Sequence, residues 1–115
     1  MKKTGPTNPT LQRLIQELRE ASKKNKADIW KVIAKELEKP TRRRREVNIL
    51  RINRHTKANE TIVVPGKVLA TGDMDHKVKV AAWQFSEAAR SKVQAMSIPE
   101  LIKENPKGKD VRIIG

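Results

Sequence analysis

The sequence predicts an α/β fold in which a small mixed sheet is preceded by an N-terminal helical hairpin. The stretch Thr61–Phe85 contains the densest run of apolar and β-branched residues, which favour strands. Before residue 39, apolar residues recur at helical spacing in two segments. The β-branched residues of Val111–Ile114 indicate a last strand that returns to the sheet. At 115 residues the chain has the length of one domain.

Two amphipathic helices, over residues 9–23 and 27–38, are predicted to form the hairpin. Asn8 is suited to cap the first helix and Pro9 to occupy its first position, and Pro40 ends the second. Each helix has one apolar stripe, formed by Leu11, Leu14, Ile15 and Leu18 in the first and by Ile29, Ile33 and Leu37 in the second. The short link between the helices favours their packing as a pair.

The central stretch predicts three short strands. They are Thr61–Val64, Val68–Ala70 and Val78–Phe85, with turns at Pro65-Gly66 and Gly72–Asp75. Ahead of them, the pattern at 47–54 is compatible with a strand or a helix, and we favour an extended entry at Val47 and a short helix over 49–54.

Two helices are predicted after the central stretch. Ser86 is a candidate N-cap for a helix over 86–95, which would bury Ala88, Ala89 and Val93. Ser97 would cap a short helix with Pro99 in its first turn.

Positive charge is concentrated in the N-terminal half. The net charge is +13, of which residues 1–57 carry +11 and residues 58–115 carry +2. The single domain therefore divides into a tail at 1–8, the helical hairpin at 9–38, a basic arm at 39–57 and an α/β body at 58–115. A field of this strength favours a polyanionic partner, because neutralised phosphates release their condensed counterions.

Composition argues against several function classes. The chain has no cysteine, which excludes a disulfide framework, a zinc knuckle and a thiol nucleophile. No apolar run approaches the ~18 residues that a membrane span needs, and the first residues do not resemble a secretory signal. We therefore expect a cytoplasmic protein with no membrane partner.

Basic side chains of the tail, of the link between the two helices and of the arm are the candidate nucleic-acid contacts, because arginine matches phosphate oxygens bidentately. They are Lys2, Lys3, Lys23, Lys24, Lys26, Arg42, Arg43, Arg44, Arg45, Arg51, Arg54 and His55. A solvated loop or a targeting signal is the alternative interpretation of the four consecutive arginines. The arm contains no aromatic residue to stack on unpaired bases, so we expect contact with phosphates and not base-specific readout.

Three other features have more ordinary explanations. Asp73, Asp75 and His76 could form an acid–base or metal group, but a polar hairpin turn is the simpler interpretation, since no further ligand lies nearby in sequence. Gly66-Lys67 lacks the spacing of a phosphate-binding loop. Trp30 and Trp83 lie on apolar faces and are predicted to be core residues.

Motifs along the whole chain resemble the archaeal large-subunit ribosomal protein eighteen-e family, which is kin to the universal ribosomal protein fifteen. They are Lys3–Pro9, Glu46–Ile49, Ile52–Arg54, Val64–Leu69, Asp75–Val78, Phe85–Ala89, Asn105–Gly108 and Val111–Gly115. Two places depart from the family pattern: Leu50 stands where a serine is usual, and residues 92–96 leave no room for a Gly-Gly turn and short strand.

The resemblance implies a structural component of the large ribosomal subunit. It implies irregular β-β-α turns behind an N-terminal helical part, binding to large-subunit ribosomal RNA, and neighbouring ribosomal proteins as further partners. It also implies no enzyme activity, no cofactor and no small-molecule substrate. The charge alone would equally suit a DNA-binding or architectural chromatin protein, although no recognition helix or dimer interface is evident in the sequence.

Overall fold

The structure, a computed structural model, describes residues 9–39 and 45–114, and of Arg45 it describes the backbone. Helices and strands alternate after an initial helical pair. In chain order they are α1 (Pro9–Asn25), α2 (Asp28–Leu37), β1 (Arg45–Asn48), α3 (Ile49–His55), β2 (Thr61–Leu69), β3 (Lys79–Phe85), α4 (Glu87–Arg90), β4 (Gln94–Ser97), α5 (Ile98–Glu104) and β5 (Val111–Ile113). The predicted α/β class, the two N-terminal helices and the short helix near residue 50 are confirmed. Asn8, the expected N-cap of the first helix, and Pro40, which was expected to end the second, lie outside the described residues.

The strand pairs within the described residues are all parallel, so the mixed sheet expected from the sequence is wrong in this respect. The strand order is β1-β2-β3-β4, and β5 also pairs with β2. β3 pairs with one edge of β2. Both β1 and β5 pair with the other edge, β1 at residues 66–69 of β2 and β5 at residues 61–63. Parallel neighbours need crossover connections. Here α3, the 70–78 loop, α4 and α5 supply them.

Two hydrophobic cores lie on opposite faces of the sheet. The helical hairpin, Val63, Ala81 and the start of α5 form one core, and α3, α4 and the alternate residues Ile62 and Val64 form the other. Because β2 is buried on both faces, its sequence is a nearly continuous apolar run. This double burial explains why Thr61–Phe85 is the most apolar stretch of the chain.

β2 continues through the predicted turn at Pro65-Gly66. Both residues are buried, and Gly66 pairs with Arg45 of β1, so pairing along the edge overrides the turn preference of the two residues. Pro65-Gly66 coincides instead with a shift in the register of the β2–β3 pairing, between Val64 and Lys67. The polar segment 73–76 is likewise no hairpin turn, because it belongs to a crossover between parallel strands.

The helix predicted over 86–95 is wrong beyond its first turn. α4 ends at Arg90, and β4 begins at Gln94, whose backbone N–H donates to the Val78 carbonyl at 3.1 Å. Room for a short strand therefore exists, contrary to the sequence-based expectation. Ser86 caps α4 as predicted, since its hydroxyl accepts from the Ala89 N–H at 3.2 Å, but Ala88 is exposed.

Ser97 caps α5 as predicted, and the structure adds a reciprocal contact. The Ser97 hydroxyl accepts from the Glu100 N–H at 3.2 Å, and the Glu100 carboxylate accepts from the Ser97 N–H at 3.0 Å. This capping box satisfies two backbone donors that the helix leaves unpaired. Hydrogen bonding from the Ser97 backbone, and secondarily from its side chain, lowers the pKa of Glu100.

The capping box predicts a specific pH dependence. Because folding lowers the pKa of Glu100 below its ordinary 4.5, its charged form stabilises the fold above that pH, and the contribution is lost as the pH falls through the lowered pKa. Glu100→Gln keeps an acceptor but no charge. We expect the free energy of unfolding of the two proteins to differ at pH 6 and to converge under acid conditions. A difference that stays constant down to acid pH would contradict this assignment.

Candidate nucleic-acid interface

α3 is the described element that gathers several candidate RNA-contacting residues at one place. It follows β1 without a gap, and Ile49 and Ile52 anchor it in the core with no exposed surface. The spacing of a helix then leaves Arg51, Arg54 and His55 exposed on the outside. Three cationic or titratable side chains therefore share a single helical turn at the surface.

These side chains border an open groove between β1 and α3. The groove is lined by Glu46, Asn48, Leu50, Arg51, Arg54 and His55. Within residues 9–39 and 45–114, no carboxylate forms an ion pair with Arg51 or Arg54. The sequence did not mark Asn48 or Leu50 as candidate contact residues, since β1 and α3 had to be placed together before their residues could be seen to line one groove.

Gly72 holds the crossover loop against the start of α3. Its φ of +103° suits glycine, and a Cβ at this position would lie 2.6 Å from the Leu50 Cβ. The Leu50 N–H donates to the Thr71 carbonyl at 2.9 Å. Close backbone packing therefore fixes the first turn of α3 and, with it, the orientation of the basic face.

The end of α3 is held by a second group of contacts. The hydroxyl of the buried Thr56 donates to the Ile52 carbonyl at 2.7 Å and lies 2.7 Å from His76 Nε2. His76 Nδ1 lies 2.6 Å from an Asp75 carboxylate oxygen, and the Asp75 N–H donates to the Asn53 side chain at 3.0 Å. Hydrogen bonding from His76, with a smaller contribution from Asn53, lowers the pKa of Asp75.

This network connects the end of α3 to the 70–78 loop. Although it contains Thr, His and Asp side chains, it offers no accessible nucleophile, because Thr56 is buried. In the described part of the chain, no group of three His, Cys, Asp or Glu side chains could hold a metal ion. The acid–base or metal interpretation of Asp73, Asp75 and His76 therefore gains no support. Asp73 lies 3.4 Å from the Lys92 ammonium and takes no part in the network.

Thr56→Val should lower the free energy of unfolding by about 1–2 kcal/mol, because the variant fills the same space but offers the Ile52 carbonyl and His76 no hydroxyl. Thr56→Ser keeps the hydroxyl and is the matched control. Urea denaturation followed by circular dichroism measures both. Equal stability of the valine and serine variants would show that the hydroxyl contacts contribute nothing.

A second set of candidate residues lies where the two N-terminal helices join. Lys23 and Lys24 are in the last turn of α1, and Lys26 adopts φ +52° in the link to α2. All three are exposed. Their charge also complements the negative end of the α1 dipole, so a structural role exists beside any contact with a partner.

The remaining candidates cannot be placed in the same way. Lys2, Lys3 and Arg42–Arg44 lie outside the described residues. Arg45 is the first residue of β1, where its backbone pairs with Gly66, and its side chain is not described.

Several cations of the C-terminal half are engaged within the protein. Lys79 pairs with Glu104 at 2.6 Å and Arg112 with Glu60 at 3.0 Å, and the Lys92 ammonium donates to the Ala70 and Gly72 carbonyls at 2.9 and 2.6 Å. In the N-terminal half, Arg19 pairs with Glu38 and Lys39 with Glu36. Among the described residues, the positive charge without an ion-pair partner thus includes Arg51 and Arg54 on the exposed face of α3.

Comparison with known proteins identifies the family. Residues 23–97 match a family model described as ribosomal proteins 50S-L15, 50S-L18e and 60S-L27A. The chain belongs to this family. The large ribosomal subunit protein eL18 of Methanothermobacter thermautotrophicus is 44% identical, covering 99% of this chain and 98% of the relative. That of Methanoregula boonei is 50% identical over 94% and 93%, and that of Methanococcus maripaludis 47% identical over 99% of both chains.

Membership of the 50S-L15, 50S-L18e and 60S-L27A family makes the chain a structural ribosomal protein and not an enzyme. The resemblance seen in the sequence motifs is therefore confirmed. Within the described residues, no helix has the length and apolar character needed to cross a membrane.

Proposed function

We propose that this ribosomal protein binds large-subunit ribosomal RNA with its basic N-terminal half and helps to hold folded RNA segments together. It would act in the cytoplasmic ribosome, beside neighbouring large-subunit proteins. The observation that carries the proposal is the exposed cationic face of α3, whose arginines have no ion-pair partner among the described residues. That face directly follows Arg42–Arg45 in the chain, so the two can contact one RNA surface.

The chemistry of this surface favours phosphate contacts. Arg51 and Arg54 offer planar sets of donors on a rigid helix, and Asn48 adds an amide beside them. Double-stranded RNA is bound mainly through its phosphates, its 2′-hydroxyls and its shape. Since the core that contains Ile49 and Ile52 and the Thr56 network fix α3, the arginines are presented in one orientation, and shape can be discriminated.

The test compares an α3 variant with a matched control at several salt concentrations. Arg51→Ala combined with Arg54→Ala should weaken binding to large-subunit ribosomal RNA and reduce the slope of log affinity against log salt by about two units. Lys77→Ala combined with Lys103→Ala removes the same charge from exposed positions of the C-terminal half and should leave most of the slope. Equal effects of the two double variants would contradict the placement of the interface.

Competition at fixed salt separates RNA from DNA as the partner. Unlabelled structured ribosomal RNA should displace labelled ribosomal RNA at a lower concentration than duplex DNA of equal nucleotide content does. Equal displacement would favour the alternative of a DNA-binding or architectural chromatin protein.

A further inference from the structure

The aromatic residues of the chain are few, and the two that stay partly exposed lie together. Of Trp30, Trp83 and Phe85, only Trp30 is fully buried. Trp83 and Phe85 line one pocket at the carboxyl ends of β3 and β4, where parallel sheets commonly bind ligands. This pocket is separate from the α3 groove, with which it shares no lining residue.

The pocket combines flat apolar surfaces with a cation. The guanidinium carbon of the exposed Arg90 lies 5.5 Å from the centre of the Phe85 ring, which places the cation over the aromatic face. Ser97 and Glu100 border the same pocket. The pocket lining therefore offers stacking surfaces, positive charge and oxygen acceptors.

The sheet edge beside the pocket is open. β4 pairs with β3 only as far as Ala82 and Ser97, whereas β3 continues to Phe85. No strand in the described ranges pairs with residues 83–85 on the β4 side, since β2 lies on their other side. Backbone polar groups at this edge can therefore meet a ligand.

We propose that the pocket formed by Trp83, Phe85 and Arg90 binds an unpaired nucleobase of the RNA. A base has a π-face for the aromatic rings and a polar rim for the strand edge, the Ser97 hydroxyl and the Glu100 carboxylate. The adjoining sugar–phosphate lies toward Arg90, because the guanidinium attracts phosphate and the Glu100 carboxylate repels it. This inference rests on the proposed RNA binding and adds a base contact to it.

The lining favours a base over an apolar side chain from a neighbouring protein. An aliphatic group would cover the charged side chains of Arg90 and Glu100 without offering either of them a hydrogen bond of its own. Trp83 also borders a second groove, toward Thr10, Leu14, Ile98 and Pro99, and that groove is the one suited to apolar side chains. Arg90, in contrast, adds positive charge to the pocket of Trp83 and Phe85, and the net charge of +13 of the whole protein favours a polyanionic partner.

Tryptophan emission tests the proposal directly, with a hexamer of adenylate as the probe. Stacking on Trp83 should quench the emission of the intact protein in a saturable way. Trp83→Phe retains only the buried Trp30 and should show no quenching. An abasic hexamer with the same phosphate backbone should leave the emission unchanged. Equal quenching by the abasic hexamer would overturn the proposal.

Affinity for the adenylate hexamer gives a second readout through single substitutions of Phe85 and Arg90. Phe85→Leu should weaken binding about tenfold through loss of stacking. Arg90→Gln should weaken it about fivefold, and more than Lys103→Gln, which removes the same charge from another exposed position. Arg90 and Lys103 variants with equal effects would show that only net charge matters and would overturn the base site.

Full-length large-subunit ribosomal RNA separates the failure of this inference from failure of the proposed function. Binding of that RNA with quenched Trp83 emission supports both. Salt-dependent binding without a change in Trp83 emission overturns the base site, leaves the proposed function standing and points to a neighbouring protein as occupant. Absence of binding to the ribosomal RNA at low salt overturns both.

Discussion

Replacing Arg42, Arg43, Arg44 and Arg45 together by alanine is expected to produce the largest loss of RNA affinity of any local change. The slope of log affinity against log salt should fall by roughly one unit for each phosphate contact removed, and so by up to about four units. The cause is electrostatic, because each arginine that neutralises a phosphate releases condensed counterions. Filter binding of large-subunit ribosomal RNA over a range of salt concentrations measures this slope.

The control for this quadruple variant replaces the same four arginines by lysine. Lysine keeps the charge and loses the planar fork, so most of the salt slope should remain while the affinity falls. The melting temperature should stay close to that of the unaltered protein in both variants. A quadruple alanine variant with an unchanged slope would remove these arginines from the interface.

Trp30→Ala should give the largest loss of stability, about 3–5 kcal/mol out of a total of roughly 5–15 kcal/mol. Trp30 has no exposed surface, and its indole N–H donates to the Pro106 carbonyl at 2.6 Å. The loop after α5 packs tightly beside it, since a Cβ at Gly108 would lie 2.4 Å from Ile29 Cγ2. Removing the indole therefore opens a cavity and also removes the hydrogen bond that holds the loop at Pro106.

Trp30→Phe is the matched control, because it keeps most of the apolar volume and loses the indole N–H. It should cost less than the alanine variant. Urea denaturation followed by far-ultraviolet circular dichroism gives both free energies of unfolding without relying on tryptophan emission. If Trp30→Ala lowers the free energy of unfolding by less than about 1 kcal/mol, the assignment of Trp30 to the core between the helical hairpin and the sheet is contradicted.

Local sequence patterns predicted the helical part of the fold well. Leu11, Leu14, Ile15 and Leu18 lie on one helical face and are buried as expected, and the Ser97 cap depends only on residues within one turn. Such features are settled by neighbours in the chain, so spacing and residue type suffice to find them.

The sheet was predicted less well because strand pairing is decided by residues far apart in sequence. Pro65-Gly66 has the composition of a turn, yet pairing of Gly66 with Arg45 keeps β2 extended. The segment at 94–97 has the composition of a helix continuation, yet pairing with β3 makes it a strand. Parallel pairing leaves no turn motif in the sequence, so the direction of the strands could not be inferred either.

In the candidate interface, too, features set by local spacing could be predicted and contacts between distant residues could not. The basic face of α3 follows from the spacing of Arg51 and Arg54, and exposure of both agrees with it. The contact between Thr56 and His76 joins residues twenty positions apart and had no local signal. Trp83 was predicted to be a core residue because it lies on an apolar face, whereas its partial exposure depends on where β4 ends.

Co-sedimentation with large ribosomal subunits at rising salt tests the central claim most directly. We expect the protein to sediment with subunits that lack it at low salt and to dissociate as the salt concentration rises. The Arg42–Arg45 alanine variant should dissociate at a lower concentration. A protein that stays in the supernatant at low salt, or one whose retention does not depend on salt, would contradict a charge-driven attachment to folded RNA.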